Sequence, residues 1–483
     1  MSARVPCPPL SQFPQYYWSI TPTWKDQLVR DPAGYFRLES DATRGVPVRL
    51  FLTERLLETT EANLLDQILN ACAFPGVRCV AITPDVHYGY GVPVGCVIAT
   101  DGTLAMGPVG FDIGCGMMAA RSAVQAGAAT PERRLAFNHE VMRRVEMGAG
   151  GQSRSLKSLT RAEFEEIVRG GAEHYVAKYG ASFDRSNAER HRIPVDDDWQ
   201  IPYGGPGRPE RGITQVGSLG GGNHFMELQA DQEDRLWVMV HTGSRGFGHG
   251  LTTNFFQVAR RENPKLTSLD LGYFRPESKH WKSYRNAVAA GGNFAIVNRL
   301  VIFEQLARAF AEVFGAELEL VYEISHNLAQ LEPHPEFGDV WVHRKGATRA
   351  FPSGHPMLRG TQWQAAGHPV LIPGSNQDSS FVLRPAAGAV QSLYSVNHGA
   401  GRRMSRSAAL RQLDRRAIED EYRAAGILVN ANGRVPLDEA GPAYKSAREV
   451  VDAVVDAGLA TVEHTLRPLA SLKGTEERGR RRH

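Results

Sequence analysis

The sequence predicts an α+β fold: one large domain of mixed β-sheets surrounded by helices. Three observations carry that reading. Short apolar runs of strand character recur along the chain, several of them ending in Gly-rich turns, as at Leu236 to Val240 before His241-Thr242-Gly243. Between them lie stretches whose apolar residues recur three and four apart, the spacing of a helix face. The two kinds of element do not alternate strictly, which argues against a repeated strand–helix–strand plan. A length of 483 residues would suit about three domains as a prior. The turns that bear reactive side chains are spread over the whole length, however, so a single catalytic unit spanning residues 1–483 is expected.

Taken in order, residues 1–45 are rich in Pro and aromatics and read as a loosely packed lead-in. Leu56, Leu57, Leu64, Leu65, Ile68 and Leu69 mark the apolar positions of a helix over 53–73. A strand at 77–82 feeds a turn, Pro84-Asp85-Val86-His87, and its neighbour strand covers 92–98. Residues 131–214 are poor in motifs. Thr160-Arg161-Ala162-Glu163 is a capping box, in which hydroxyl and carboxylate satisfy each other's backbone N–H groups, and it starts a helix there. Residues 196–198 and 204–212 read as surface loops. Residues 318–324 alternate apolar and charged side chains, as a half-buried strand does. A helix covers 284–316, with Gly291-Gly292-Asn293 expected to bend or interrupt it because glycine is a poor helix former. A charged helix follows at 405–425, Ser446 to Glu449 cap another, and a strand runs through 468–472. A basic tail occupies 475–483.

At 42% hydrophobic and 22% charged, the composition is that of an ordinary globular protein with a sizeable core. A net charge of +3 does not by itself indicate nucleic acid, so an RNA site would have to be a local basic patch. The five cysteines, Cys7, Cys72, Cys79, Cys96 and Cys115, are odd in number and irregularly spaced. They point to a reducing compartment rather than a disulfide framework. No apolar core of a signal peptide follows Met1, and no run of about 18 apolar residues occurs, so a cytoplasmic protein without a membrane span is expected.

The chemistry concentrates in small turns. Asn397-His398-Gly399-Ala400-Gly401-Arg402 sets a histidine among small residues, where a bulky ligand can approach the ring and backbone N–H groups can face a phosphate. Arg402 and Arg403 add side chains suited to gripping phosphate oxygens. Asp112 and Cys115 share one turn, and His224, His241 and His326 each sit in another. An Asp, a Cys and three His make a complete ligand set for one or two transition-metal ions, and ligand softness alone would favour zinc.

These turns, in this order, resemble the RtcB family of GTP-dependent RNA ligases. The matching motifs run from Pro84-Asp85-Val86-His87 through Asp112-Ile113-Gly114-Cys115-Gly116-Met117, Gly220-Gly221-Gly222-Asn223-His224-Phe225, His241-Thr242-Gly243-Ser244-Arg245-Gly246 and His398-Gly399-Ala400-Gly401-Arg402 to Lys473-Gly474. The resemblance implies an RtcB-like fold, with Asp112, Cys115, His224, His241 and His326 holding two Mn(II) ions and Cys115 shared between them. It implies that His398 takes GMP from GTP. Asn223, Phe225, Glu227, Asn327, Pro373, Gly374, Ser375, Ser380, Gly399, Ala400, Gly401, Arg402 and Lys473 would then contact the nucleotide, Lys473 against the base. Arg245 and Lys345 are the candidates to hold RNA phosphate, and His87 a supporting residue. The partners implied are RNA with a 2′,3′-cyclic phosphate or 3′-phosphate and RNA with a 5′-hydroxyl, in RNA repair or tRNA splicing, with an archease-like activator as a further partner.

One departure stands out. Asn376-Gln377-Asp378-Ser379 occupies a place where family members usually carry Met and small residues, so base contacts or the RNA end accepted are expected to differ. A paralogue that caps 3′-phosphate ends of RNA or DNA without joining them, and a non-catalytic metal-dependent RNA-end binder, are the alternative readings.

Overall fold

The computed structural model describes residues 23–180, 185–187 and 192–474. Two sheets organise it. The first orders seven strands as Leu28–Arg30, Phe36–Leu38, Val48–Leu50, Val77–His87, Val94–Thr100, Gly338–Lys345 and Asn327–His334. The second orders Glu319–Ser325, Gly116–Gln125, Arg235–Thr242, Phe225–Ala230, Ala460–Lys473, Ser380–Pro385 and Val370–Ile372, with Leu428–Val429 lying parallel to Ala460–Lys473. Helices pack around them, so the expected α+β class is the one observed. The chain passes between the sheets across one residue. Ser325 ends an edge strand of the second, Asn327 begins an edge strand of the first, and His326 lies between.

The helix Trp281–Phe314 runs for 34 residues through the core without interruption, against the expectation of a break at Gly291-Gly292-Asn293. Here the glycines allow close approach. A Cβ on Gly291 would come within 2.9 Å of Ile113, and one on Gly292 within 2.6 Å of Ile193. Asn293 is buried, and its amide binds the backbone of Val168 and Ile193. Packing in the core outweighs the weak helix propensity of these residues. The helix is long and apolar enough to cross a membrane, but its apolar window is wholly buried in the protein. Such a helix is a core element here.

Other expectations need correction. The helix expected over 53–73 is two, Glu54–Glu58 and Leu64–Cys72. The hydroxyls of Thr59 and Thr60 donate back to the carbonyls of Leu56 and Leu57, at 3.0 and 2.6 Å, and close the first. The charged helix at 405–425 likewise divides into Arg406–Gln412 and Arg415–Ala424, because the Asp414 carboxylate accepts from the Ala417 N–H at 2.8 Å and caps a new start. Pro84 to His87 form the end of the strand Val77–His87, whose pairing with Val94–Thr100 shifts register between Ile82 and His87. The lead-in is less loose than expected: Trp24, Tyr35, Phe36 and Leu38 are buried, and two short strands there extend the first sheet. Residues 1–22 of that lead-in, and the basic tail at 475–483, lie outside the described residues. The capping box at Thr160 makes both its bonds and starts the helix Arg161–Tyr179.

Candidate active site

Four neighbouring strands of the second sheet end together, and their register builds the site. Gly116 pairs with Thr242 and Ser325, Met117 with His241, and His241 with Phe225. Cys115, His224 and His326 sit one residue beyond these ends and His241 one residue inside its own, so pairing alone gathers them at one edge. Lys473 pairs with Phe225 and joins them from the next strand.

The side chains form two triads that share one atom. Cys115, His241 and His326 make one group and Asp112, Cys115 and His224 the other, with the ligand atoms within 4.8 Å of one another in each. The Cys115 Sγ lies 3.2 Å from His241 Nε2 and 3.5 Å from His224 Nε2, and His224 Nε2 lies 3.1 Å from Asp112 Oδ2. On the far side of the rings, Nδ1 of His224 faces the Leu219 carbonyl at 3.0 Å and Nδ1 of His241 faces that of Asn223 at 3.1 Å. A carbonyl can only accept, so the proton is on Nδ1 and Nε2 is bare toward Cys115. Burial holds His241 and His326 well below the usual imidazole range, which keeps them neutral as ligands must be. Burial, with the Asp112 charge adding to it, pushes the Cys115 thiol well above its usual range. A divalent cation between the triads would reverse that and favour the thiolate. The donor set therefore fits a divalent metal ion at either triad, with Cys115 common to both.

Arg299 of the core helix holds this edge in shape. It is fully buried and paired with the equally buried Glu323. Its guanidinium also donates to the carbonyls of Gly114 at 2.7 Å and Thr242 at 2.8 Å, and to Ser325 Oγ at 2.9 Å. Each of these residues adjoins a member of the triads. Asn327 works similarly from the other sheet, donating to the Asp112 carbonyl at 3.2 Å and accepting from the Gly346 N–H at 2.8 Å.

His398 follows the short strand Ser395–Asn397, which pairs with Ala347–Arg349. Its ring packs edge-on to His326, with centroids 4.9 Å apart. Its Nδ1 lies 2.6 Å from Asp85 Oδ2, and the same oxygen accepts the His398 backbone N–H at 3.1 Å. Thr83 donates to the other Asp85 oxygen at 2.6 Å. Burial alone would raise the Asp85 carboxyl, but the His398 charge and bond, with the Thr83 bond, outweigh it and hold it below the usual range. An ionised Asp85 is acceptor-only, so the proton is on Nδ1, and Nε2 has no hydrogen-bond partner among the described residues. Gly401 closes this turn at φ +75°, and a Cβ there would come within 2.1 Å of the Asp85 carbonyl, so only glycine fits.

A cavity of about 330 Å³ opens onto these groups. Asp112, Cys115, His241, His326 and His398 line it, as do Asn223, Phe225, Glu227, Asn327, Pro373, Gly374, Ser375, Gly399, Ala400, Gly401, Arg402, Lys345 and Lys473. Three other candidates stand behind or beside its wall. His224 backs Cys115. Ser380 is fully buried, where its hydroxyl oxygen accepts from the Gly374 N–H at 3.1 Å. Arg245 is half-buried and donates to the carbonyl of Gly148 at 2.9 Å and to Ser218 Oγ at 3.2 Å. Lys345 donates to the carbonyls of Tyr90 and Val92, at 2.5 and 3.0 Å, and burial brings it down to about 8. His87 lines the cavity, with Nδ1 3.0 Å from the Asp85 carbonyl.

The side of the cavity lined by Arg402, Arg406, Tyr444 and Lys473 is ordered by a group that sequence reasoning missed. Glu439 is buried and paired with Lys473 and Arg402, each at 3.3 Å, and with Arg406 at 3.4 Å, while Tyr444 donates to it. Lys473 also lies 5.6 Å from the centre of the Phe225 ring. Glu227, pushed up to about 7 by burial, faces the same cavity. Asp85 was within a quoted motif, but nothing local shows that it reaches His398. Glu439 has no local signal at all. In the divergent loop, Asn376 lines the cavity, whereas the Asp378 carboxylate turns to the Ala447 N–H at the start of the helix Ala447–Asp456 and is absent from the lining.

A family profile described as tRNA-splicing ligase RtcB matches residues 67–474. The tRNA-splicing ligase RtcB of Pyrobaculum aerophilum is 33% identical, over 96% of this chain and 99% of that one. That of Thermococcus kodakarensis is 35% identical, over 90% and 96%. The RNA-splicing ligase RtcB of Mycobacterium tuberculosis is 36% identical, over 84% and 100%. Matches of this extent, over a range that includes the residues lining the cavity, show that the chain belongs to the RtcB family of tRNA-splicing ligases.

Proposed function

We propose that this protein is a GTP- and Mn(II)-dependent RNA ligase acting in RNA repair or tRNA splicing. It joins RNA ending in a 3′-phosphate, or in a 2′,3′-cyclic phosphate once water has opened it, to RNA with a 5′-hydroxyl. The observation that carries this reading is His398, its Nδ1 proton held by Asp85 and its Nε2 without a partner among the described residues, beside two ligand triads that share Cys115.

His398 Nε2 attacks the α-phosphorus of GTP, the N–P bond forms, and pyrophosphate departs. Because Nδ1 already carries the proton and Asp85 already accepts it, no proton has to move in this step. The RNA 3′-phosphate oxygen then displaces His398 and takes the GMP. The 5′-hydroxyl oxygen attacks the 3′-phosphorus, forms the phosphodiester and releases GMP. Two Mn(II) ions, one held by Asp112, Cys115 and His224 and one by Cys115, His241 and His326, would supply Lewis-acid polarisation of the phosphoryl oxygens. Lys473, Phe225 and Glu227 hold the base, Arg402 and the turn at 399–401 hold the ribose and phosphates, and Lys345 and Arg245 serve the RNA phosphate.

Incubation with α-labelled GTP and Mn(II) is expected to leave acid-labile, base-stable label on the protein. The label is lost in His398→Ala, with metal content unchanged; label persisting in that variant overturns the assignment. Product length with a 3′-phosphate and a 5′-hydroxyl RNA oligonucleotide then separates joining from capping alone.

The metal reading has its own test. Cys115→Ser is expected to take bound metal from about two ions per chain towards none, since the thiolate serves both triads, and Asp112→Ala towards one. Elemental analysis showing unaltered metal in Cys115→Ser rules out the shared ligand.

A further inference from the structure

Asn376 is one of the four residues at which the loop departs from the family pattern, and its side chain is held in one orientation. Tyr422, from the helix Arg415–Ala424, is only 2% exposed. Its hydroxyl oxygen accepts the Gly441 N–H at 3.0 Å, so its own proton goes to Asn376 Oδ1. That relay holds the amide oxygen toward Tyr422 and fixes which side of Asn376 carries the NH₂. Asn376 is 3% exposed, it lines the cavity, and Nδ2 has no hydrogen-bond partner among the described residues. Native proteins keep few buried donors in that condition, because the donor's lost hydration is not replaced. An acceptor on a ligand in the cavity would complete it.

The neighbourhood says which acceptor. Glu227 lines the same cavity and is tied to this loop: Gln229 donates to Glu227 at 2.6 Å and to Ser380 Oγ at 2.9 Å, and that oxygen accepts the Gly374 N–H at 3.1 Å, so Asn376 and Glu227 share one end of it. A donor beside an acceptor matches the edge of a 6-oxopurine, where the carbonyl oxygen accepts and the adjacent ring N–H donates. Adenine offers the reverse, an amino donor beside a bare ring nitrogen.

We propose that Asn376 is a base-selecting residue whose amide donates to the 6-oxo oxygen of guanine beside Glu227. Tyr422 and Gly441 act behind it as positioning groups. The assignment rests on the reading of the cavity as a GTP site.

The experiment is competition for labelling by α-labelled GTP in Mn(II), using unlabelled 2-aminopurine riboside triphosphate, which lacks the 6-oxo oxygen, and ATP. The parent protein is expected to prefer GTP over both. In Asn376→Ala the preference over the 2-aminopurine compound shrinks by about five- to tenfold, the worth of one neutral hydrogen bond. Preference that comes from Glu227 is the same in parent and variant and cancels in the ratio. Tyr422→Phe keeps the ring packing but frees the amide to turn, so it too lowers the preference and raises tolerance of ATP. Should Asn376→Ala fail to fold, Tyr422→Phe decides the matter alone. Equal preference in the parent and every folded variant overturns the role of Asn376 and leaves the GTP site standing. No label on the parent from GTP overturns the GTP reading, and this assignment with it.

Discussion

Asp85→Asn is expected to slow labelling of His398 by GTP about 10³- to 10⁴-fold, the scale seen when a buried carboxylate behind a catalytic imidazole becomes an amide. That corresponds to roughly 4–5.5 kcal/mol in the barrier. The cause is specific. Asp85 Oδ2 accepts both the Nδ1 proton and the backbone N–H of His398, so one charged atom sets the tautomer and the position of the ring. An amide keeps the shape but loses the charge, and its NH₂ can turn toward Nδ1 and favour the tautomer whose Nε2 carries the proton and cannot attack. Metal content should stay at the parent level, because Asp85 belongs to neither triad. Single-turnover labelling within tenfold of the parent would show that Asp85 does not set the nucleophile.

The second large effect is expected at Arg299. Replacing it with Met keeps most of the volume but takes the guanidinium away from the buried Glu323 carboxylate, and breaking a buried pair from one side costs about 3–5 kcal/mol of folding stability. Arg299 also donates to the carbonyls of Gly114 and Thr242 and to Ser325, so its loss releases the residues next to Cys115, His241 and His326. Bound metal should therefore fall along with stability. The double variant Arg299→Met with Glu323→Met separates the two effects. It removes the buried charge, so denaturant unfolding recovers much of the stability, while metal content stays low because the carbonyls are still unclamped. Full recovery of metal in the double variant would mean that Arg299 serves only the fold.

Much of the fold was legible in the sequence where it depends on local chemistry. The capping box at Thr160 and the Ser446 hydroxyl, which accepts the Glu449 N–H, start helices because the groups that bond lie within one turn of one another. The strand Glu319–Ser325 was legible as a strand, but its burial alternates only over Glu319–Tyr322, and Glu323 is buried with both its neighbours. Failures came where a distant contact overrode a local preference. Gly291 and Gly292 sit in the helix where the turn at Ile113 and the Ile193 side chain pack closely against them, and sequence spacing carries no sign of either. Asp414 starts a helix and the Thr59-Thr60 pair ends one through side-chain hydrogen bonds that a periodic pattern does not weigh.

The same division runs through the candidate site. By itself the sequence determined the reactive inventory: Asp112, Cys115, His224, His241, His326 and His398, each in a small turn where a side chain is free to meet a ligand. Those are properties of a few consecutive residues. Only the tertiary structure decided that four strand ends coincide in register, that Cys115 belongs to both triads, and that Glu439 ties Arg402, Arg406 and Lys473 together. It also decided that Asp85 meets His398 across 313 residues of chain. Which side chains become neighbours depends on strand order and register over the whole molecule, and no short stretch of sequence contains that information.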